Sequence, residues 1–269
     1  ASIAGEIQAN VESQRQNLSG WVATHTRVAE DAAAHMGALD DASGVPSVDE
    51  IQPSKDEMLL GLTVGREDGH VMSYPSGDLT GKLIPSDRPW YKDVKAQGKT
   101  LYTDPYVDKI TSKLCVSIAV PYYKKDGAFA GAICEDISLE RLDDYIEKLN
   151  YKGEGMGTII TPSGKIVATK DPALQDKDVK DVPGLDKQFD EMVKNGSGTL
   201  TQNVGGENMV ISYATVDGTN WIMLLTVPES FVYSELTTMK IAFAIVTIIG
   251  LIVIMVICQM FARRITEPV

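Results

Sequence analysis

The chain has 269 residues, 43% of them hydrophobic and 23% charged, with 37 acidic against 25 basic side chains and a net charge of −12. That composition excludes a disordered or collagen-like chain and is enough for one large domain or two ordinary ones. The acidic balance disfavours nucleic acid and anionic lipid as partners, since both are bound by clustered cations. Apolar residues are unevenly spread: Ile241 to Phe261 (IAFAIVTIIGLIVIMVICQMF) carries no charge. Such a run is long enough to cross a hydrocarbon layer of roughly 30 Å.

From Ser2 to about Leu39, the residues Ala4, Ile7, Val11, Leu18, Trp21, Val28, Ala32 and Leu39 recur at spacings of three, four and seven. This periodicity predicts one helix, roughly 55 Å long at about 1.5 Å per residue. His25 and His35 fall on the same predicted stripe. With no third ligand at a helical spacing, they are expected to be packed or hydrogen-bonded side chains and not a metal site. Ser43-Gly-Val-Pro-Ser then breaks the helix.

Beyond the break, strand-like runs and turn signals alternate, and they do so twice. In the first pass Met58–Val64, Glu67-Asp-Gly and His70–Tyr74 lead to a Pro/Ser/Gly loop and a helix at Trp90–Gln97 ending at Gly98. Lys113–Tyr123, Lys125-Asp-Gly and Ala128–Ile137 complete it. In the second pass Gly157–Thr161, Pro162-Ser-Gly and Lys165–Thr169 precede a helix at Leu185–Lys194, then Asn208–Thr215, Asp217-Gly and Asn220–Val227. The landmark pairs Gly69 and Gly164, Gly98 and Gly196, and Gly127 and Gly218 lie between 91 and 98 residues apart. A duplicated unit follows, giving two small α/β modules, each an antiparallel sheet with helices on one face. Leu139–Leu149 has apolar residues at 139, 142, 146 and 149, which predicts an amphipathic linker helix between the modules.

Arg263 and Arg264 follow the apolar run, whereas Glu229, Glu235 and a lone Lys240 precede it. The positive-inside tendency therefore places the C-terminus in the cytoplasm and the remainder outside the cell membrane. Ala1 opens directly into polar sequence, so an upstream segment with a second span is expected. Cys258 falls in the apolar run, which leaves at most one bridge, between Cys115 and Cys134. A four-residue turn at Lys124–Gly127 would set Cys115 opposite Asp136, with Cys134 and Ser117 on the same face and Val116, Ile118 and Val120 on the other. The two cysteines are then diagonal, and two reduced core residues are expected.

Arg88-Pro-Trp90-Tyr91, Asp104-Pro-Tyr106-Val-Asp108 and a hairpin ending in Gly131-Ala-Ile-Cys-Glu-Asp136-Ile-Ser-Leu139 together resemble the double Cache (dCache) ligand-binding domain of bacterial transmembrane receptors. Arg263-Arg-Ile-Thr-Glu-Pro268 resembles the opening of a HAMP linker. The resemblance implies an α/β fold: a long N-terminal helix at residues 1–44, a membrane-distal PAS-like (Cache) module at 45–150 and a membrane-proximal one at 151–239. A transmembrane helix at 240–262 and the start of a HAMP linker at 263–269 would follow. It also implies a chemoreceptor of the methyl-accepting type, with a histidine kinase or a cyclic-dinucleotide enzyme as alternative outputs.

In the amino-acid-binding branch of that family, the motif's arginine and tryptophan hold the ligand carboxylate, aromatic residues wall the pocket and an aspartate holds the ammonium. Those roles fall on Arg88, Trp90, Tyr91, Tyr106, Asp108 and Asp136. An arginine fork matches a carboxylate, an indole N–H adds one directional donor, and an aspartate suits a primary ammonium. The branch places a tyrosine five residues before the arginine, where this chain has Leu83, so amines and small carboxylates stay open beside amino acids. The competing reading pairs Arg88 with Asp108 or Asp136 in an internal salt bridge. No Gly-x-Ser-x-Gly, His-Glu-x-x-His or phosphate-binding glycine loop occurs, so a sensor without cofactor or metal is expected, and not an enzyme. Signalling through a single span requires helices that move against one another, which implies a homodimer in the full-length receptor.

Overall fold

The computed structural model describes residues 2–39, 59–74, 76–171, 174 and 177–266. Helix α1 (Ile3–Leu39) buries Ile3, Ile7, Val11, Leu18, Val22, His25, Ala29, Ala33 and Met36. The expected stripe departs from this line after Leu18, because seven-residue spacings fall out of phase with a 3.6-residue helix by about 20° every two turns. Trp21 and Val28 are accordingly half-buried, and His35 is exposed while His25 is inside. The break expected at Ser43 and the start of the first strand at Met58 lie outside the described residues.

The first sheet contains β1 (Leu59–Arg66), β2 (Val71–Tyr74), β3 (Gly77–Asp78), β4 (Leu101–Tyr102), β5 (Tyr106–Val107), β6 (Leu114–Tyr123) and β7 (Phe129–Ser138), with α2 (Pro89–Gln97) between β3 and β4. Its order is β3-β2-β1-β7-β6-β4, and β5 also pairs with β6. A 3₁₀ turn at Leu139–Arg141 and α3 (Asp143–Glu147) lead to the second sheet. It contains β8 (Met156–Ile160), β9 (Ile166–Thr169), β10 (Ser197–Val204), β11 (Glu207–Thr215) and β12 (Ile222–Pro228), with α4 (Asp186–Asn195) before β10. The order β10-β11-β12-β8-β9 repeats β4-β6-β7-β1-β2, so the duplication is one topology used twice.

Three expectations need correction. The linker helix is divided, because a 3₁₀ turn places residues three apart on one side and so lets Leu139 and Leu142 bury together ahead of Ile146 and Leu149. The hairpin pairs Ser117 with Asp136 and Cys115 with Ser138, two residues from the expected register. Lys124 N–H bonds to Ala128 O, which shortens the loop, and an irregularity at Tyr122/Tyr123 adds one residue to β7. Cys115 and Cys134 are consequently offset by four residues, roughly 13 Å along the strands, and both are free thiols.

Helices also cover both faces of each sheet. Val116, Ile118, Val120, Ile133 and Ile137 pack in one core with the α1 stripe, and Met223, Leu225 and Val227 join it from the second sheet. On the opposite face α2 sets Trp90, Tyr91 and Val94 against Ala119, Ala132 and Cys134. In the second sheet Phe189 and Met192 of α4 pack on Ile211, Tyr213, Ile222 and Leu224. Period-two alternation along β6, β7, β11 and β12 sorts these side chains between the two layers.

Helix α5 (Glu229–Thr266) leaves the second sheet directly from β12. Within it, Glu229–Met260 is long and apolar enough to cross a membrane. Phe231 and Val232 at its start pack against the core, whereas farther along Phe243, Leu251 and Met260 are exposed.

Candidate ligand-binding site

The site begins at Pro89. Proline at the first helical position needs no N–H partner and holds the residue before it extended; Arg88 has φ −85° and ψ 133°. Gly98 ends α2 at φ 65°, a left-handed conformation that glycine adopts without steric cost. On the helix between them, Trp90, Asp93 and Gln97 follow i, i+3, i+7 spacing and line a cleft of about 670 Å³ together with Arg88 and the segment Leu101–Val107. Pro162 and Ser163, from the β8–β9 turn of the second sheet, line it too.

Arg88 is only 8% exposed, and its guanidinium carbon lies 5.8 Å from the centre of the Tyr106 ring. Among the described residues no carboxylate pairs with it, so neither internal salt bridge is formed. Tyr106 borders the cleft and donates its hydroxyl to Asp136 Oδ1 at 2.9 Å, with Ser117 Oγ 2.8 Å away. Ser117 Oγ also donates to that oxygen, as does the Cys134 thiol at 3.3 Å. Every hydrogen bond to Asp136 thus falls on Oδ1, and Oδ2 has no partner among the described residues. Burial pushes the Asp136 carboxyl up to about 6, against the pull of its Ser117 bond and with the nearby Asp108 charge adding to the rise. Burial also raises Tyr106 and Cys134, so both keep their protons and remain donors.

Four of the six expected residues therefore belong to one place: Arg88, Trp90 and Tyr106 line the cleft, and Asp136 stands behind Tyr106. Two are engaged elsewhere. Tyr91 is about 100° around α2 from Trp90, where its hydroxyl donates to Glu67 Oε2 at 2.8 Å and its ring meets Phe129 edge-on. Asp108 closes its own turn, accepting the N–H of Thr111 at 2.7 Å and its hydroxyl at 2.6 Å. Asp93, Gln97, Asp104 and Ser163 were not among the expected residues. Asp93 and Gln97 could have been found from their helical phase with Trp90, whereas the Ser163 hydroxyl donates to Asp104 Oδ1 at 2.8 Å across 59 residues of chain, a contact no local pattern encodes.

His25 is hydrogen-bonded, as expected. Its Nδ1 meets the carboxylate of Glu135, both side chains are buried, and the Trp21 ring lies tilted against it, 4.3 Å between ring centres. Among the described residues no group of three or more potential metal ligands occurs.

The chain belongs to the Cache domain family, whose model matches residues 1–236. It is 25% identical over 267 residues to the methyl-accepting chemotaxis protein PctB of Pseudomonas aeruginosa, covering 98% of this chain and 40% of that protein. To the methyl-accepting chemotaxis protein McpB of Bacillus subtilis it is 29% identical over 209 residues, covering 76% of this chain and 30% of that one. It thus spans 40% or less of the length of these relatives. Among solved structures, the PctB ligand-binding domain in complex with L-Arg matches with a TM-score of 0.71 at 24% identity, covering 90% of this chain and 94% of that one. The ligand-binding domain of the Pseudomonas fluorescens chemoreceptor CtaA in complex with L-isoleucine matches at 0.67 and 21%, covering 87% and 95%.

Proposed function

We propose that this chain is the ligand-sensing part of a transmembrane chemoreceptor and that the cleft beside Arg88 takes a small zwitterion, an amino acid. The observation that carries the reading is a pair of opposite charges, Arg88 and Asp136, each more than nine-tenths buried and neither neutralised by the other. Leaving a buried charge uncompensated is costly. A ligand carboxylate on Arg88 and a ligand ammonium on Asp136 Oδ2 would satisfy both at once. Chemotaxis as the output rests on relatives that are themselves methyl-accepting chemotaxis proteins.

In this reading residues 45–150 bind, residues 151–239 transmit, residues 240–262 cross the membrane with the sheets outside, and a HAMP linker begins at Arg263. A reporter joined after Pro268 would then be active only in the cytoplasm, and single cysteines along residues 4–18 would trap a homodimer in membranes. The test of the ligand is calorimetry on the 269-residue chain in lipid nanodiscs, with L-amino acids, their methyl esters and their decarboxylated amines. Intact amino acids are expected to bind while esters and amines do not. Amines binding as tightly as their parent amino acids would replace the zwitterion reading with an amine sensor.

A further inference from the structure

The cleft holds more negative charge than a neutral amino acid needs. Among the described residues Arg88 is the one cation that lines it, whereas Asp93 and Asp104 both line it and Asp136 stands behind Tyr106. Pairing one ligand carboxylate with Arg88 and one ammonium with Asp136 leaves two aspartates facing the same space. Asp93 has no ion-pair partner among the described residues. Asp104 accepts a hydrogen bond from Ser163, a neutral donor that orients the carboxylate without cancelling its charge, and Lys165, which feels that charge, is itself paired with Asp178 at 3.0 Å.

These two carboxylates do not define a site by themselves. Arg88 supplies the independent sign of a ligand: a cation 8% exposed, without an acceptor among the described residues, and lining the same cleft. Trp90 and Tyr106 also line that space, and aromatic faces attract organic cations as well as alkyl chains. At about 670 Å³ the cleft has room for a side chain beyond the amino-acid head, within the usual range of small-molecule sites.

We propose that Asp93 and Asp104 form a second cation subsite, so that the preferred ligand class is amino acids with a positively charged side chain. This rests on the assignment of Arg88 and Asp136 to the amino-acid head, and the probes are chosen to separate the two. L-Arginine and L-citrulline share that head and nearly the same length but differ in side-chain charge, and L-lysine and L-norleucine differ in the same way. In calorimetry on the whole chain in nanodiscs, arginine binds at least tenfold tighter than citrulline, and lysine at least tenfold tighter than norleucine. Asp93→Asn/Asp104→Asn brings both ratios down toward one; the asparagine at 104 keeps an acceptor for Ser163, and both positions are exposed, so the fold tolerates the change. Citrulline binding as tightly as arginine overturns the subsite and leaves the head assignment standing, as does a ratio that the double substitution does not move. Failure of every amino acid to bind overturns the head assignment itself.

Discussion

Replacing Arg88 by alanine is expected to weaken amino-acid binding by about 30-fold to several thousand-fold while leaving the protein folded. The loss has two parts. A charge-assisted, bidentate contact disappears, and the ligand carboxylate is left desolvated in the cleft without a partner, which together cost about 2–5 kcal/mol. The fold should survive because, among the described residues, the guanidinium holds no internal ion pair and its one ring contact, with Tyr106 at 5.8 Å, is marginal. Arg88→Lys should fall between, since an ammonium keeps the charge but cannot form the two parallel bonds of the fork. Calorimetry with the best ligand measures the loss, and thermal unfolding without ligand checks the fold. Wild-type affinity in a folded Arg88→Ala protein would remove Arg88 from the site.

Asp136→Asn is expected to abolish the ammonium contact and yet make the ligand-free protein more stable at neutral pH. The folded protein holds this carboxyl at about 6 against an ordinary 3.8, so between about pH 4 and 6 the native state keeps a proton that the unfolded chain has already released. Stability therefore falls as pH rises through that window, and above it the full penalty, about 3 kcal/mol, is present. Asparagine carries no such penalty, and its amide oxygen can still accept from Tyr106 and Ser117. The variant should unfold several degrees higher at pH 7.5, with the gain gone near pH 3.5. Wild-type affinity should correspondingly drop about tenfold per unit below pH 6, where the carboxylate must lose a proton before it can hold an ammonium. A variant less stable than wild type at pH 7.5 would show that the buried charge is compensated after all.

The elements most visible in the sequence are those whose burial repeats locally. Both sheets' central strands and α2 and α4 fall within two residues of their expected limits, because alternation and turn glycines write them into short windows. β10 carries no such signal, because Ser197–Val204 is a polar edge strand; its alternation runs between exposed and half-buried positions, and only the Gly205-Gly206 turn after it announces a hairpin. The site divides in the same way. Arg88, Trp90, Tyr106 and Asp136 were recognisable as a set through their motifs. That Asp108 would instead fasten its own loop could not be read from residue type, because an aspartate that closes a turn and one that holds a ligand look alike until the backbone around them is placed. Asp104 with Ser163 depends on how one sheet meets the other.

Helix α1 has a mechanical consequence for any receptor built this way. It contains no proline from Ile3 to Leu39, and it packs along both sheets, with Ile7, Leu18, Val22 and Ala29 fully covered or nearly so. Prising the sheets apart like a clamshell would have to bend this rod or strip it from one of them, forfeiting the burial that holds it. Rolling or sliding along the rod keeps most of those contacts. Glu135, which grips His25 on the rod, and Asp136, which holds the hydroxyl of the cleft residue Tyr106, are successive residues of β7 on opposite faces. A displacement of that strand would therefore be felt on both of its faces, beside the cleft through Tyr106 and at the rod through His25.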